Sequence, residues 1–230
     1  MSEAGLPGPG VFVTGTGTEV GKTVVAAVVA RTLAAQGKRV AVFKPAVTGL
    51  DEEGEPDHEL LRRAAGSDQS DEEIAPYRYG PPMSPHLAAE LTGERIESER
   101  LLAAAARASA GADVLVCEGV GGLLVPLSAT PRYLVRDLAA DLALPLMVTA
   151  PPGLGTINHT LLTIEAARSA NLNVAAIVLT PWPDEPTPIE ESNRETLAAL
   201  GEVRVETLPA LDRRDPASWP ALPLPPHPPG

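Results

Sequence analysis

Between a short apolar run and a helix-like segment the chain reads Val13-Thr14-Gly15-Thr16-Gly17-Thr18-Glu19-Val20-Gly21-Lys22-Thr23. Residues this small let a backbone curl until several N–H groups converge on one anion, and the start of the following helix adds a partial positive charge. Lys22 brings a full charge to the outer phosphates of a nucleotide, and Thr23 offers a hydroxyl to Mg²⁺. The candidate phosphate-binding residues are Gly17, Thr18, Glu19, Val20, Gly21, Lys22, Thr23 and Val24. Five residues separate Gly15 from Gly21, where the common phosphate-binding loop has four.

Three further charged residues stand where strands end or helices begin. Lys44 closes the apolar run Val40–Lys44, and Glu118 follows the run Val114–Cys117. In a doubly wound sheet the carboxyl ends of the strands form the ligand-binding edge, so both belong beside the phosphate loop. A carboxylate at the end of such a strand is placed to hold Mg²⁺ near phosphates. Asp57 opens a helix after the acidic stretch Asp51–Glu55, and serves either as a third metal ligand or as an N-cap. Thr23, Asp57 and Glu118 together offer the few carboxylates and the hydroxyl that Mg²⁺ accepts alongside phosphate oxygens. From position alone, Lys44 also reads as an ordinary strand-end lysine and Glu118 as a solvated loop carboxylate.

The elements needed to position these residues alternate along the chain. Apolar runs at Val11–Thr14, Val40–Lys44, Val114–Cys117, Leu146–Ala150, Val174–Thr180 and Val203–Leu208 read as buried strands. Helices are expected over Lys22–Gln36, Asp57–Ala65, Glu99–Ser109, Arg132–Leu142, Asn158–Ser169 and Ile189–Leu200, with a turn at Met83–Pro85. Continuous apolar strands alternating with helices predict a single α/β domain with a mainly parallel sheet and helices on both faces. The first helix is apolar nearly all round and must be covered on most sides. The domain is expected to end near Leu211. Asp212–Gly230 is proline-rich and reads as an extended segment on the surface or without order.

Composition narrows the function. The 230 residues carry a formal net charge of −12, a poor match for nucleic acid or an anionic membrane. Cys117 is the only cysteine, which excludes an internal disulfide and any cysteine-rich zinc site. It reads as a core residue in a reducing, cytoplasmic setting. His58, His86, His159 and His227 lack zinc-ligand spacing. Met1–Gly10 lacks the features of a signal peptide, and no run approaches the roughly 18 apolar residues of a membrane helix.

Five ordered segments between Val11 and Leu211 resemble the dethiobiotin synthetase family: the Gly-Thr-x-Thr-x-Val-Gly-Lys-Thr loop, Lys44-Pro45-Ala46-Val47-Thr48-Gly49, Ser84-Pro85-His86, Glu118-Gly119-Val120-Gly121-Gly122, and Leu154-Gly155-Thr156-Ile157-Asn158-His159. The resemblance implies a P-loop fold and an ATP- and Mg²⁺-dependent ligase. Such enzymes close the ureido ring of dethiobiotin from 7,8-diaminopelargonate and CO₂, through a carbamate and a mixed carbamic–phosphoric anhydride. It gives Lys22 and Lys44 to the phosphoryl groups and carbamate, and lines the diamine site with Thr18, Glu19, Thr48 and Glu118. It also implies a homodimer in which Gly155, Thr156 and Asn158, at a helix start, hold the substrate carboxylate of the partner subunit. Asn158 has an alternative as a plain N-cap.

One position departs from the family pattern. Where the family ends a strand in an adenine-reading Asn, this chain has Thr180 and Pro181. Those two residues and the backbone of Leu208, Pro209 and Ala210 are the candidates for the base. Two other readings share the phosphate loop: another amide-forming P-loop ligase, and a nucleotide-switched partitioning ATPase. The second usually carries an extra lysine early in the loop, and Thr14–Val20 contains none.

Overall fold

In the computed structural model, which describes residues 9–224, the chain runs in order through β1 (Gly10–Gly15), α1 (Lys22–Ala35), β2 (Val40–Phe43), α2 (Asp57–Ala65), α3 (Asp71–Ile74), α4 (Pro85–Leu91), α5 (Ser98–Ser109), β3 (Val114–Gly122), β4 (Pro126–Ser128), β5 (Tyr133–Leu134), α6 (Val135–Asp141), β6 (Leu146–Ala150), α7 (Thr156–Arg168), β7 (Val174–Trp182), α8 (Pro188–Gly201) and β8 (Val205–Pro209). Six strands form one sheet in the order β2-β3-β1-β6-β7-β8, and every pairing in it is parallel. The expected α/β architecture with a parallel sheet is what the chain forms.

Alternation along the strands feeds both faces of the sheet. Phe12 and Phe43 enter a core with Tyr77, Leu101, Leu115 and Leu138. Val11 and Val13 enter the opposite core with the apolar side chains of α1 and α2. Ile164, Ile177 and Leu197 form a smaller cluster where α7 and α8 meet the sheet.

Several boundaries differ from expectation for local reasons. β3 runs on to Gly122, because its glycine-rich end still pairs with Gly15. The helix expected from Arg132 starts at Val135, since Tyr133 and Leu134 pair with β4. α7 starts at Thr156, with Gly155 as its N-cap and no side-chain cap. That removes the N-cap alternative for Asn158. The Met83–Pro85 turn leads into α4, with Pro85 at the first helical position, where its missing N–H costs nothing. α3 is a single turn closed by a capping box of Ser70 and Glu73.

α1 is covered as its composition requires, with Val25 to Ala30 wholly buried. Part of that cover comes from the segment after Asp212. Up to Leu224 it is irregular chain, as its prolines dictate, with a turn at 213–214 and a 3₁₀ turn over Pro216–Ser218, but over these residues it is not a loose surface tail. Trp219 and Leu222 are 9% and 3% exposed and join the α1 core. The Leu222 N–H donates to Thr32 Oγ1 of α1 at 2.9 Å. Residues 225–230 of the expected tail, and most of the N-terminal stretch read for a signal peptide, lie outside the described residues. Among the described residues no helix is long and apolar enough to cross a membrane.

Truncating a buried leucine costs about 2–5 kcal/mol, through lost transfer energy and the cavity left behind. Leu222→Ala is therefore expected to lower the urea-unfolding free energy by about 2–4 kcal/mol. A loss below about 0.5 kcal/mol, the range of surface substitutions, would mean that the segment contributes nothing to the core.

Candidate active site

Strand register brings the charged residues together. Val13 pairs with Glu118 and Phe43 with Cys117, so Lys44, the residue after Phe43, lies alongside Glu118. The Lys44 ammonium reaches Glu118 Oε1 at 2.6 Å and Asp57 Oδ2 at 2.6 Å. Thr23 donates to the same Glu118 oxygen at 2.9 Å. Asp57 is the first helical residue of α2, whose N-cap is Pro56, so its carboxylate is engaged by Lys44 rather than by its own helix end. Glu118 is wholly buried, which rules out the solvated loop carboxylate.

The electrostatics follow from burial and these contacts. Burial alone pulls Lys44 down, but the facing carboxylates of Glu118 and Asp57 outweigh it and hold the ammonium above its usual range. Burial pushes Asp57 up, and Lys44 overrides it to hold Asp57 below the ordinary carboxylate value. At Glu118 burial wins. Aided by the like charge of Asp57, it raises the carboxyl above its ordinary value against the pull of Lys44 and Lys22. Lys22 is lowered, first by burial and then by the nearby charge of Lys44, against the pull of Glu118.

The phosphate loop closes over this cluster. Gly15 is needed because a Cβ there would fall 2.5 Å from Val20 Cγ2. Gly21 has φ 89°, and a Cβ on it would meet the Thr180 methyl at 2.7 Å. Lys22 folds back to donate to the Gly17 carbonyl at 2.7 Å. Glu19 adopts φ 58° at the loop's apex.

A cavity of about 730 Å³ opens over the loop and the carboxyl ends of β2 and β3. Thr18, Glu19, Gly21, Lys22, Thr23, Val24, Lys44, Thr48, Asp57 and Glu118 all line it. Thr23, Asp57 and Glu118 converge as oxygen donors of the kind Mg²⁺ takes. Glu118 Oε2 is buried without a hydrogen-bond partner among the described residues, so the set keeps a free acceptor for a cation.

Other predicted residues lie elsewhere. Thr180 is buried beneath Gly21, and Pro181 is exposed after a cis peptide bond. Leu208 is buried, Pro209 half-buried and Ala210 exposed. These five do not line the cavity, and neither do Gly155, Thr156 and Asn158. The Thr156 hydroxyl faces Thr160 at 3.3 Å, whereas Gly155 and Asn158 are open to solvent. Cys117 is buried, and burial raises its thiol well above the usual range, in keeping with a core residue. Reading the sequence alone passed over Arg213 and the acidic rim of Glu52, Glu53 and Glu55, all of which line the cavity. The signal available was Trp219 with Leu222 in the proline-rich segment, apolar anchors that pin the chain beside the site.

A family model described as an AAA domain matches residues 9–219. Among curated proteins, the ATP-dependent dethiobiotin synthetase BioD of Anaeromyxobacter dehalogenans strain 2CP-1 is 44% identical over 192 residues, covering 83% of this chain and 85% of the relative. The proteins of the same description from Rhodococcus erythropolis and Bacillus subtilis strain 168 are 41% and 36% identical, over 84% and 83% of this chain and 84% and 82% of theirs. Among solved structures, a nucleotide-binding protein from Archaeoglobus fulgidus in complex with ADP superposes with a TM-score of 0.51 at 17% identity, covering 91% of this chain and 85% of that one, which shows a shared fold. The phosphate loop, the six-stranded parallel sheet and relatives matched over most of both chains lead to one assignment: the chain belongs to the ATP-dependent dethiobiotin synthetase family.

Proposed function

We propose that this protein is a carbon–nitrogen ligase that closes the ureido ring of dethiobiotin from 7,8-diaminopelargonate, CO₂ and ATP. The observation that carries this reading is Lys44, held 2.6 Å from both Glu118 and Asp57 at the edge of the phosphate loop. A phosphoryl-transfer site needs positioned charge more than a covalent partner. Lys22 and the loop N–H groups hold the β- and γ-phosphates. Thr18, Glu19 and Thr48 form the polar wall beside them, suited to two amines and a carbamate. One amine captures CO₂ and sheds a proton, and Lys44 offsets the negative charge of the carbamate as its oxygen takes the γ-phosphoryl group and ADP departs. The second amine then attacks the carbamate carbon and expels phosphate. Thr23, Asp57 and Glu118 would hold Mg²⁺, which supplies charge neutralisation between phosphate oxygens.

Phosphate release should depend on both diamine and bicarbonate and match dethiobiotin formed, and release without either would favour a nucleotide switch instead. Within that assay, Lys22→Ala and Lys44→Ala are each expected to lower turnover by about 10²–10³, the loss typical of a missing charge-stabilising donor. Lys22→Ala should also weaken nucleotide binding throughout. Full turnover by Lys44→Ala would exclude its role at the γ-phosphoryl group and carbamate.

The working unit is a homodimer in this reading. Asn158 is exposed and outside the cavity of its own chain, and Leu154 beside it is 95% exposed, which suits a segment delivered to a partner. Helix N-termini bind carboxylates. Mixing Lys22→Ala with Asn158→Ala should restore one working site per mixed dimer. No recovery after verified subunit exchange would place both contributions in one subunit.

Thr180 is turned under Gly21, leaving no side-chain amide at that strand end to read the base. A bidentate amide pair discriminates by about 1–3 kcal/mol, so kcat/KM for ATP against CTP, GTP and UTP should differ by less than about 10³. A larger preference for ATP would mean that other groups, such as the backbone at Leu208–Ala210, read adenine unaided.

A further inference from the structure

A polyanionic nucleotide faces an electrostatic problem in this cavity. Among the described residues six carboxylates line it, Glu19, Glu52, Glu53, Glu55, Asp57 and Glu118, against three cations, Lys22, Lys44 and Arg213. Two of the cations have partners within the protein. Lys44 is bound by Asp57 and Glu118, and Lys22 is bonded to the Gly17 carbonyl. Both are buried. Arg213 differs: it is exposed, and its guanidinium makes no ion pair with any described residue.

The backbone that carries Arg213 is nonetheless fixed. Arg63, itself paired with Glu55, donates to the Arg213 carbonyl at 2.8 Å. The Arg214 N–H donates to Asp212 Oδ1 at 2.9 Å, and the Trp219 indole N–H donates to the Asp212 carbonyl at 2.8 Å. Trp219 is seated in the α1 core. The result is an anchored main chain holding an uncommitted, permanently charged head at the cavity wall. Guanidinium groups bind phosphate oxygens through paired, charge-assisted hydrogen bonds.

We propose that Arg213 is a nucleotide-binding residue of this site, its guanidinium engaging phosphate oxygens of the nucleoside triphosphate. The inference rests on the reading of the cavity as the ATP site and adds a residue supplied by the C-terminal segment. The structural and binding roles of Arg213 are separable. Its carbonyl serves the fold whatever the side chain, so Arg213→Ala removes the guanidinium and keeps the bond from Arg63.

The test measures Mg²⁺–ATP binding by calorimetry, KM for ATP and the melting temperature, for wild type, Arg213→Ala and Arg213→Lys. Hydrogen bonds to charged groups are worth enough for Arg213→Ala to weaken ATP binding about tenfold or more. The melting temperature should stay put, and Arg213→Lys should recover part of the loss because it keeps the charge without the fork. Binding and KM within twofold of wild type in Arg213→Ala would overturn the proposal. So would a loss that tracks a fall in melting temperature and is not relieved by Arg213→Lys. A wild type that binds no ATP would overturn the reading of the site itself, and the role of Arg213 with it.

Discussion

Glu118 has no contact with solvent, and a carboxylate taken out of water costs several kcal/mol unless its charge is met. Lys44 meets it. That one pairing makes demands on everything around it: β2 and β3 must be neighbours in a fixed register, and Lys44 must end its strand as β3 enters its glycine loop. Asp57 at the start of α2 brings a second carboxylate to the same ammonium, and Lys44 holds it below the ordinary carboxylate value. Three elements distant in sequence are thereby tied to one point beside the phosphate loop. The cluster is poised rather than maximally stable, since a buried pair of this kind is seldom worth more than apolar packing of equal volume.

The phosphate loop obeys a second constraint, one of space. It can fold down onto the sheet only because Gly15 and Gly21 have no side chains, and it holds Glu19 in the left-handed region, a conformation that costs a non-glycine residue on the order of 1 kcal/mol. Thr180 forms part of the floor under Gly21. A residue with a longer side chain in that place would have to point elsewhere, so the packing of the loop rests on one small side chain.

Much of this was legible in the residues themselves. Strands buried on both faces announce themselves as unbroken apolar runs, and Gly-Lys-Thr at a strand–helix junction marks a phosphate site. Lys44, Asp57 and Glu118 were candidates from their place at an element's end, but position alone left each of them a bland alternative as strand-end lysine, N-cap or solvated carboxylate. Their mutual contact was not, because pairing depends on register, which leaves no trace in a strand uniformly apolar on both sides. α3 and β5 escaped because one turn or two residues carry no period. Arg213 escaped because proline argues against helix and inner strand but says nothing about whether an extended chain is packed.

The cover that Trp219 and Leu222 provide also has an order in time. The Leu222–Thr32 hydrogen bond joins residues 190 positions apart, so it closes only after the intervening chain has been made. During synthesis α1 emerges among the first elements, and chains emerge at about 5–20 residues per second. For roughly ten seconds or more, part of its apolar surface has no native partner. A nascent chain of this protein therefore leaves part of α1 uncovered until Trp219 and Leu222 have been made.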